Sequence, residues 1–588
     1  MDIPHDWLIY NTNDLYKTST GWDRKNFSYQ KKEGIRTFIR FDGVYMDSKV
    51  YVNGDLAGEW KYGYSAFMFD ITDLVKNGEN VVTVRVDHHA PNSRWYSGAG
   101  IFRKVWLCES PEIRFGNDGI YITTAKDEDE WQVTVKAEML RPVGTPLGGI
   151  RIRNTIFDKN GKEVASYESD ACGADISCIP EAVRVKGVSY SLTAQTMRVK
   201  DPELWDITSP VLYTMVSEIL VDGGCVQRVG QNFGFRTIKF KCDSGFYLNG
   251  RHVKLHGSCE HHDNGCLGAV SNPAAIRRRF KKLRKMGINA IRTSHNMPAE
   301  EFMDIADETG MLILSEGFDM WERSKTDYDY ARFFDEWVEK DVASWVRRDR
   351  NRPSIIGWSV GNEIFDTHAD ERGQEVTAWL KRLVRLHDPD GNGYVTFGSN
   401  YMQWENGQKC ADILKLAGYN YGERLYEEHH AAHPDWMIYG SETASVVQSR
   451  GIYHFPLSET LLTDDDEQCS SLGNSCTGWG AKNTEACIIP DRDAEYCAGQ
   501  FIWTGFDYIG EPTPYSTKNS YFGQFDTAGF AKDSAYVFRA EWTDYKAEPF
   551  VHIFPYWDFS DGLPCDVRVC SNAPRVELFK DGISMGAY

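Results

Sequence analysis

No stretch of this sequence approaches the ~20 consecutive apolar residues that a membrane-spanning helix needs, and its first residues lack a basic segment followed by an apolar run. A helical membrane span is therefore excluded, nothing read here directs export, and the expected location is the cytoplasm. Positive charge is also short: 65 Lys and Arg against 85 Asp and Glu leave a net charge of -20, which repels nucleic acid and anionic membrane surfaces. The 14 cysteines contain no C-x-x-C pair and no histidine companions at zinc spacing, so thiols buried in cores are expected, although Cys469 and Cys476 lie close enough in sequence to pair. What is plentiful is aromatic: 13% of residues, 18 of them Trp. Flat apolar rings with a polar tip suit carbohydrate faces, and they also fill the cores of large β-sandwiches.

At 588 residues the chain suggests three or four domains. Arg36-Thr37-Phe38-Ile39-Arg40-Phe41 and Asn80-Val81-Val82-Thr83-Val84-Arg85-Val86 alternate at period two, and Lys49-Val50-Tyr51-Val52 runs into an Asn53-Gly54 turn. That spacing predicts a jelly-roll β-sandwich over residues 1–112. Its tail, Asn92-Ser93-Arg94-Trp95-Tyr96-Ser97-Gly98-Ala99-Gly100, is too polar for a core strand and too aromatic for a plain loop, and reads as an interdomain contact or part of a sugar site. Residues 113–236 carry a second run of strands of immunoglobulin-like length, without evident chemistry.

From about residue 237 to 548 the period changes, and apolar runs alternate with charged amphipathic helices such as Arg277–Met286 and Phe334–Arg350. The runs are Val253–Gly257, Ile288–His295, Leu312–Phe318, Ile355–Glu363, Val395–Asn400, Lys415–Tyr421, Trp436–Glu442 and Gln500–Tyr508. Eight such runs predict a closed (β/α)8 TIM barrel, with Gln448–Cys497 as a lid or wall at its active face. Short strands return in residues 549–588 and read as the opening of a further sandwich, cut short at Tyr588.

The C-terminal ends of parallel barrel strands form the active face. Here they deliver His295 and Asn296, Glu316 and Asp319, Asn362 and Glu363, Asn400, Tyr421, Glu442, and Trp503 with Asp507. A lone glutamate at a strand end is most often a helix cap or half of a salt bridge. Glu363 and Glu442, however, end the fourth and seventh strands and face each other across the mouth, which is the paired-carboxylate requirement of glycoside hydrolysis.

The order of domains resembles glycoside hydrolase family 2, the β-galactosidase and β-glucuronidase group. The motifs that carry the resemblance are Ile3-Pro4-His5-Asp6-Trp7, Ser93-Arg94-Trp95-Tyr96-Ser97-Gly98-Ala99-Gly100-Ile101, Asn289-Ala290-Ile291-Arg292-Thr293-Ser294-His295-Asn296, Arg348-Asp349-Arg350-Asn351-Arg352-Pro353-Ser354-Ile355 and Gly361-Asn362-Glu363. It implies a retaining mechanism with Glu363 as acid/base and Glu442 as nucleophile. It also implies Asn362 as partner of the sugar 2-hydroxyl, Tyr421 as partner of the nucleophile, His295 as a sugar contact and Trp503 as stacking platform.

Two departures from the family's patterns bear on substrate. Where some relatives place a magnesium-binding Glu-x-His after the third strand, this chain has Met320 and Glu322, so no metal and no cofactor are expected. Family β-glucuronidases clamp the sugar carboxylate with Asn-x-Lys after the eighth strand; Lys518-Asn519-Ser520 does not keep that spacing, and Arg94 stands where they tend to have Asp. The lost Asn-x-Lys spacing and Arg94 both favour a terminal β-galactoside, supplied as a small molecule or oligosaccharide. Lys518 beside Asn519 keeps a β-glucuronide or β-galacturonide open, because a carboxylate needs only a cation with a donor in reach. A catalytically silent carbohydrate-binding protein on this scaffold is the third reading, and the sequence is compatible with a homo-oligomer.

Overall fold

The apolar runs after residue 250 close into one parallel barrel of strands β1 (Leu255–Glu260), β2 (Ala290–Thr293), β3 (Leu312–Glu316), β4 (Ile355–Asn362), β5 (Tyr394–Ser399), β6 (Leu416–Asn420), β7 (Met437–Ala444) and β8 (Cys497–Trp503). The computed structural model of the chain describes residues 2–465, 468–556 and 558–588. Every residue of β2, β3, β4, β6 and β8 is buried, as a strand covered on both faces requires. A helix follows each strand, and the first shows why. In Pro273–Met286 the Asn272 side chain accepts hydrogen bonds from the amides of Ala274 and Ala275, proline opens the first turn, and Gly287 ends the helix at φ 96°. Ile276, Phe280, Leu283 and Met286 form its buried stripe, each contributing ~1.5–3 kcal/mol.

The sequence places β1 too early by about half its length. Residues Ile238–Lys241, Gly245–Leu248 and Arg251–His252 form a small antiparallel sheet, and its Phe240, Phe246 and Leu248 pack against Leu255, Ala290, Leu312 and Leu416 at the N-terminal ends of the barrel strands. This sheet plugs the floor of the barrel, so β1 starts only at Leu255 and runs to Glu260.

The two N-terminal sandwiches flank the barrel. In the first, Ser19–Tyr29, Gly78–His88, Ser48–Val52 and Asp55–Trp60 face Phe67–Asp70, Ile35–Phe41 and Val105–Pro111, with Phe41, Val50, Val52, Ile71 and Val86 in its core. In the second, a four-stranded and a three-stranded sheet enclose Trp131, Val133, Ile152, Met215 and Phe235. Both are tied to the barrel by buried polar contacts. Arg103 donates to the carbonyl of Met297 at 2.7 Å, Tyr62 to that of Gly317 at 2.6 Å, and Tyr121 to Asp388 at 2.7 Å. Beyond the barrel, Val551–Phe554 pairs with Arg568–Ser571 and Glu577–Lys580 with Ile583–Ala587. No disulfide joins cysteines among the described residues, and no helix there is long and apolar enough to cross a membrane.

Candidate active site

Arg292, in the middle of β2, organises the barrel mouth. A fully buried guanidinium has to be neutralised and hydrogen-bonded on every side. Its Nε and Nη2 donate to Glu316 at 2.7–3.0 Å, Nη1 to Oε1 of Glu442 at 2.8 Å, and Nη2 to Oδ1 of Asn362 at 2.8 Å. One cation thus fixes groups from β3, β4 and β7. The Tyr421 hydroxyl donates to the other oxygen of Glu442 at 2.7 Å, so both oxygens of that carboxylate are held. On the far side Asn420 donates to Asn362 at 3.0 Å and to Oε1 of Glu363 at 3.1 Å, linking the two glutamates through one network.

The backbone is bent to aim these groups. The β4–β5 ladder shifts register between Ser359 and Asn362, and the β6–β7 ladder shifts between Tyr419 and Asn420, opposite Glu442. Such irregularities redirect side chains at strand ends. Glu363 and Tyr421 also sit in the left-handed region, at φ 45° and 53°, where a residue with a Cβ is strained. The Glu363 amide nonetheless bonds the Gly398 carbonyl at 2.8 Å, and the Tyr421 amide bonds that of Glu442 at 2.8 Å, so the strained conformations are locked.

Burial, together with the facing Glu363, pushes the Glu442 carboxyl up to about 7 against the pull of Arg292. Glu316 is likewise raised to about 7 by burial, opposed by Arg292 and the Ser359 hydroxyl. His295 is driven well below its ordinary value by burial beside Arg292. It is therefore a neutral imidazole whose Nδ1 donates to Glu316 at 2.7 Å, leaving Nε2 3.7 Å from Glu442. The Trp503 ring stacks on His295 with centroids 5.2 Å apart and planes 4° from parallel. One face of Trp503 is thereby spent.

A second cluster involves the N-terminal sandwich. The tail Asn92–Gly100 docks on the loop after β8, Trp95 bridging to Gly510 and the Tyr96 amide bonding Ile509. This contact carries Arg94 into the mouth, where its Nη2 reaches Asp319 at 3.0 Å and Nη1 reaches Glu363 at 3.1 Å and Glu511 at 3.8 Å. Interdomain contact and site component are the same segment. Lys325, with a buried ammonium, bonds Asp319 at 2.8 Å and the Asn362 carbonyl at 2.9 Å. Oδ1 of Asp319 also accepts from Asn362 at 3.0 Å, whereas its buried Oδ2 has no partner among the described residues. The same holds for Oδ1 of Asn400 and for both ring nitrogens of His261, which is enclosed by the rings of Trp95, His295, Trp503 and Tyr508. These are the polar atoms left over for hydroxyl groups.

Of the residues singled out in the sequence, Glu363, Glu442, Asn362, His295, Tyr421, Trp503, Asp319 and Asn400 line this one mouth. Lys518 needs correction, while of Asn519 the ladder fixes only the backbone, paired with Ile509. The Lys518 ammonium is exposed and bonds the Thr12 carbonyl and Asn13 at 3.1 and 3.0 Å, because Asn519 is tied into a two-residue ladder with Ile509 that turns its neighbour outward. Arg292, Lys325, Glu511 and His261 were given no role, and Arg94 was read only as a departure from the glucuronidase pattern within a segment of open function. Arg292 carried a signal, a charge inside an apolar strand. His261 was lost with the three residues by which β1 was cut short. Met320 is buried, and Glu322 is taken up by Arg372 at 2.5 Å; among the described residues no His, Cys, Asp and Glu group has metal-site geometry. The segment after β7 does act as a wall, laying Trp479 against Tyr421 with ring centroids 4.6 Å apart; its residues 466 and 467 lie outside those described.

A polar, carboxylate-rich mouth on a (β/α)8 barrel preceded by two sandwiches defines a glycoside hydrolase. Residues 239–434 match the glycosyl hydrolases family 2 TIM barrel domain, 117–236 match glycosyl hydrolases family 2, and 8–111 match the family 2 sugar binding domain. All of this chain aligns with 73% of a β-galactosidase, BoGH2A, of Bacteroides ovatus at 37% identity, and with 84% of a β-glucuronidase of Bacteroides fragilis at 26%. Among solved structures, a family 2 member from Bacteroides cellulosilyticus superposes with a TM-score of 0.83 at 30% identity, over all of this chain and 76% of that one. A β-glycosidase from Bacteroides vulgatus does so with 0.86 at 28% identity, over the same shares. The chain belongs to glycoside hydrolase family 2.

Proposed function

We propose that the chain is a retaining exo-β-galactosidase in which Glu442 is the nucleophile and Glu363 the acid/base. Glu442 attacks the anomeric carbon while Glu363 gives its proton to the glycosidic oxygen, and the bond to the leaving alcohol breaks. A glycosyl ester on Glu442 remains. Water then loses a proton to Glu363, attacks the same carbon and releases Glu442 as carboxylate, with the configuration retained. Arg292 and Tyr421 hold the nucleophile ionised and in place. Asn362 is set to bond a sugar hydroxyl, as are the unspent acceptors of Asp319 and Asn400 and the ring nitrogens of His261.

The observation that carries the substrate assignment is charge. The cations of the second cluster, Arg94 and Lys325, are already bonded to Asp319, Glu363 and Glu511; with Glu363 carrying the proton it donates, two positive groups stand against two carboxylates. A uronic acid would add a third carboxylate to a cluster whose two cations are already paired, and leaving a buried charge unpaired costs ~3–5 kcal/mol. A galactoside brings a hydroxyl at that position, which a single acceptor satisfies. The test is a panel of nitrophenyl β-galactoside, β-glucuronide and β-galacturonide, with the anomer released followed by proton NMR. The galactoside is expected to have the highest kcat/KM and to yield the β-anomer first. A faster uronide, or an α-anomer first, overturns the corresponding half of the proposal.

A further inference from the structure

Four aromatic rings beside Glu363 have no part in the machinery above. Phe365 and His368 follow β4, and Tyr401 and Trp404 follow β5. Centroids lie 6.1 Å apart for Phe365 and His368, 3.9 Å for His368 and Tyr401, and 5.0 Å for His368 and Trp404. Single exposed aromatics are ordinary, but Phe365 and Trp404 are 38% and 46% exposed at opposite ends of one continuous patch. The patch is stiff. Tyr401 bonds the Ser399 hydroxyl at 3.0 Å, Asn406 bonds the His368 carbonyl at 3.3 Å, and Arg424 ties Gln403 at 2.9 Å to the Tyr421 carbonyl at 3.1 Å. Its margins are polar: Arg323 pairs with Asp370 at 2.6 Å, and Arg424 meets the neutral Gln403 amide.

Location decides what such a surface meets. Phe365 is two residues from Glu363 and lies 5.9 Å under the Lys325 ammonium, which itself bonds the Asn362 carbonyl. Tyr401 adjoins Asn400, whose buried side-chain oxygen has no partner among the described residues, and feels the charge of Glu363. A general acid sits over the oxygen it protonates, so the leaving group extends outward from Glu363. From this juxtaposition we infer that Phe365, His368, Tyr401 and Trp404 form an aglycone subsite that stacks the apolar face of a sugar unit, making the natural substrate an oligosaccharide rather than an alkyl or aryl galactoside. The inference rests on Glu363 being the acid/base. Rings present flat apolar area to the axial hydrogens of a pyranose, and the flanking Arg424, Gln403, Arg323 and Asp370 can bond its equatorial hydroxyls.

Trp404→Ala and Tyr401→Ala separate the subsite from the chemistry when assayed on two substrates. β-Galactosyl fluoride has a leaving group too small to touch the rings; a β-galactosyl-glucose disaccharide must lay its glucose on them. For each variant kcat/KM on the disaccharide is expected to fall about tenfold, and on the fluoride to stay within about twofold. Parallel losses on both substrates, or none on the disaccharide, overturn the subsite. Wild-type enzyme inert toward galactosyl fluoride instead refutes the galactoside reading, and the same comparison is then made with the fluoride and disaccharide of whichever glycone of the nitrophenyl panel is cleaved.

Discussion

Tyr421→Phe removes one hydrogen-bond donor from the candidate nucleophile and little else. The ring keeps its contact with Trp479, and Arg292 still holds the other oxygen of Glu442. A hydrogen bond to a charged group is worth about 1.5–3 kcal/mol. This one, at 2.7 Å in a buried site, favours the ionised form of Glu442, whose carboxyl burial has already pushed up to about 7. At 1.36 kcal/mol per unit, losing ~2 kcal/mol raises that carboxyl further by about 1.5 units. The nucleophile must be ionised to attack, so the acid limb of kcat/KM moves toward higher pH by about the same amount. The assay is a pH profile on a dinitrophenyl galactoside, whose leaving group needs no proton, and the variant should be at least tenfold slower one unit below the wild-type midpoint while approaching it at high pH. A limb that stays in place, or moves to lower pH, refutes the assignment of Tyr421 and Glu442 as a donor–nucleophile pair.

Glu363→Ala should still release a burst of dinitrophenol from dinitrophenyl galactoside, turn over slowly until azide replaces water as the attacking group, and fail to attack methyl galactoside; equal losses of the first step on both substrates would remove Glu363 from the acid role. Glu442→Gln should abolish turnover yet raise the melting temperature at pH 8. Because the folded pKa lies above the unfolded one, the wild type loses stability as pH rises through the interval from ~4.3 to about 7, and the glutamine carries no such penalty; the difference should shrink at pH 5. Dialysis against EDTA should leave the rate unchanged, since Met320 is buried and Glu322 is engaged by Arg372; a tenfold loss restored by magnesium would contradict this. Lys518→Ala should alter kcat/KM for neither galactoside nor glucuronide by more than about twofold, as expected of an exposed ammonium bonded to Thr12 and Asn13, and a selective loss on the glucuronide would return Lys518 to the site.

The barrel was legible because its strands are buried on both faces and so appear as unbroken apolar runs between charged helices. Glu363 and Glu442 were legible because such runs end at the rim. Arg94, Lys325 and His261 were not. A lysine in the loop Trp321–Lys325 reads like any surface lysine until the loop folds it back over Asp319, and the partner of Arg94 lies 225 residues further along the chain. Lys518 was misplaced for the converse reason. Adjacency to Asn519 suggested a shared site, but neighbours in an extended ladder point opposite ways, and only the pairing with Tyr508 and Ile509 decides which faces inward.

The Arg94 arm gives the pocket two owners. A substitution in the tail Asn92–Gly100, or any loosening of its seat on Ile509 and Gly510, reaches Asp319 and Glu363 without touching a barrel residue. If Arg94 bears on glycone preference, that preference can change with this tail while the groups carried by β2, β4 and β7 stay as they are. Activity is thereby tied to the seat of the tail: unseating it withdraws Arg94 from Asp319 and Glu363 even where the barrel stays folded.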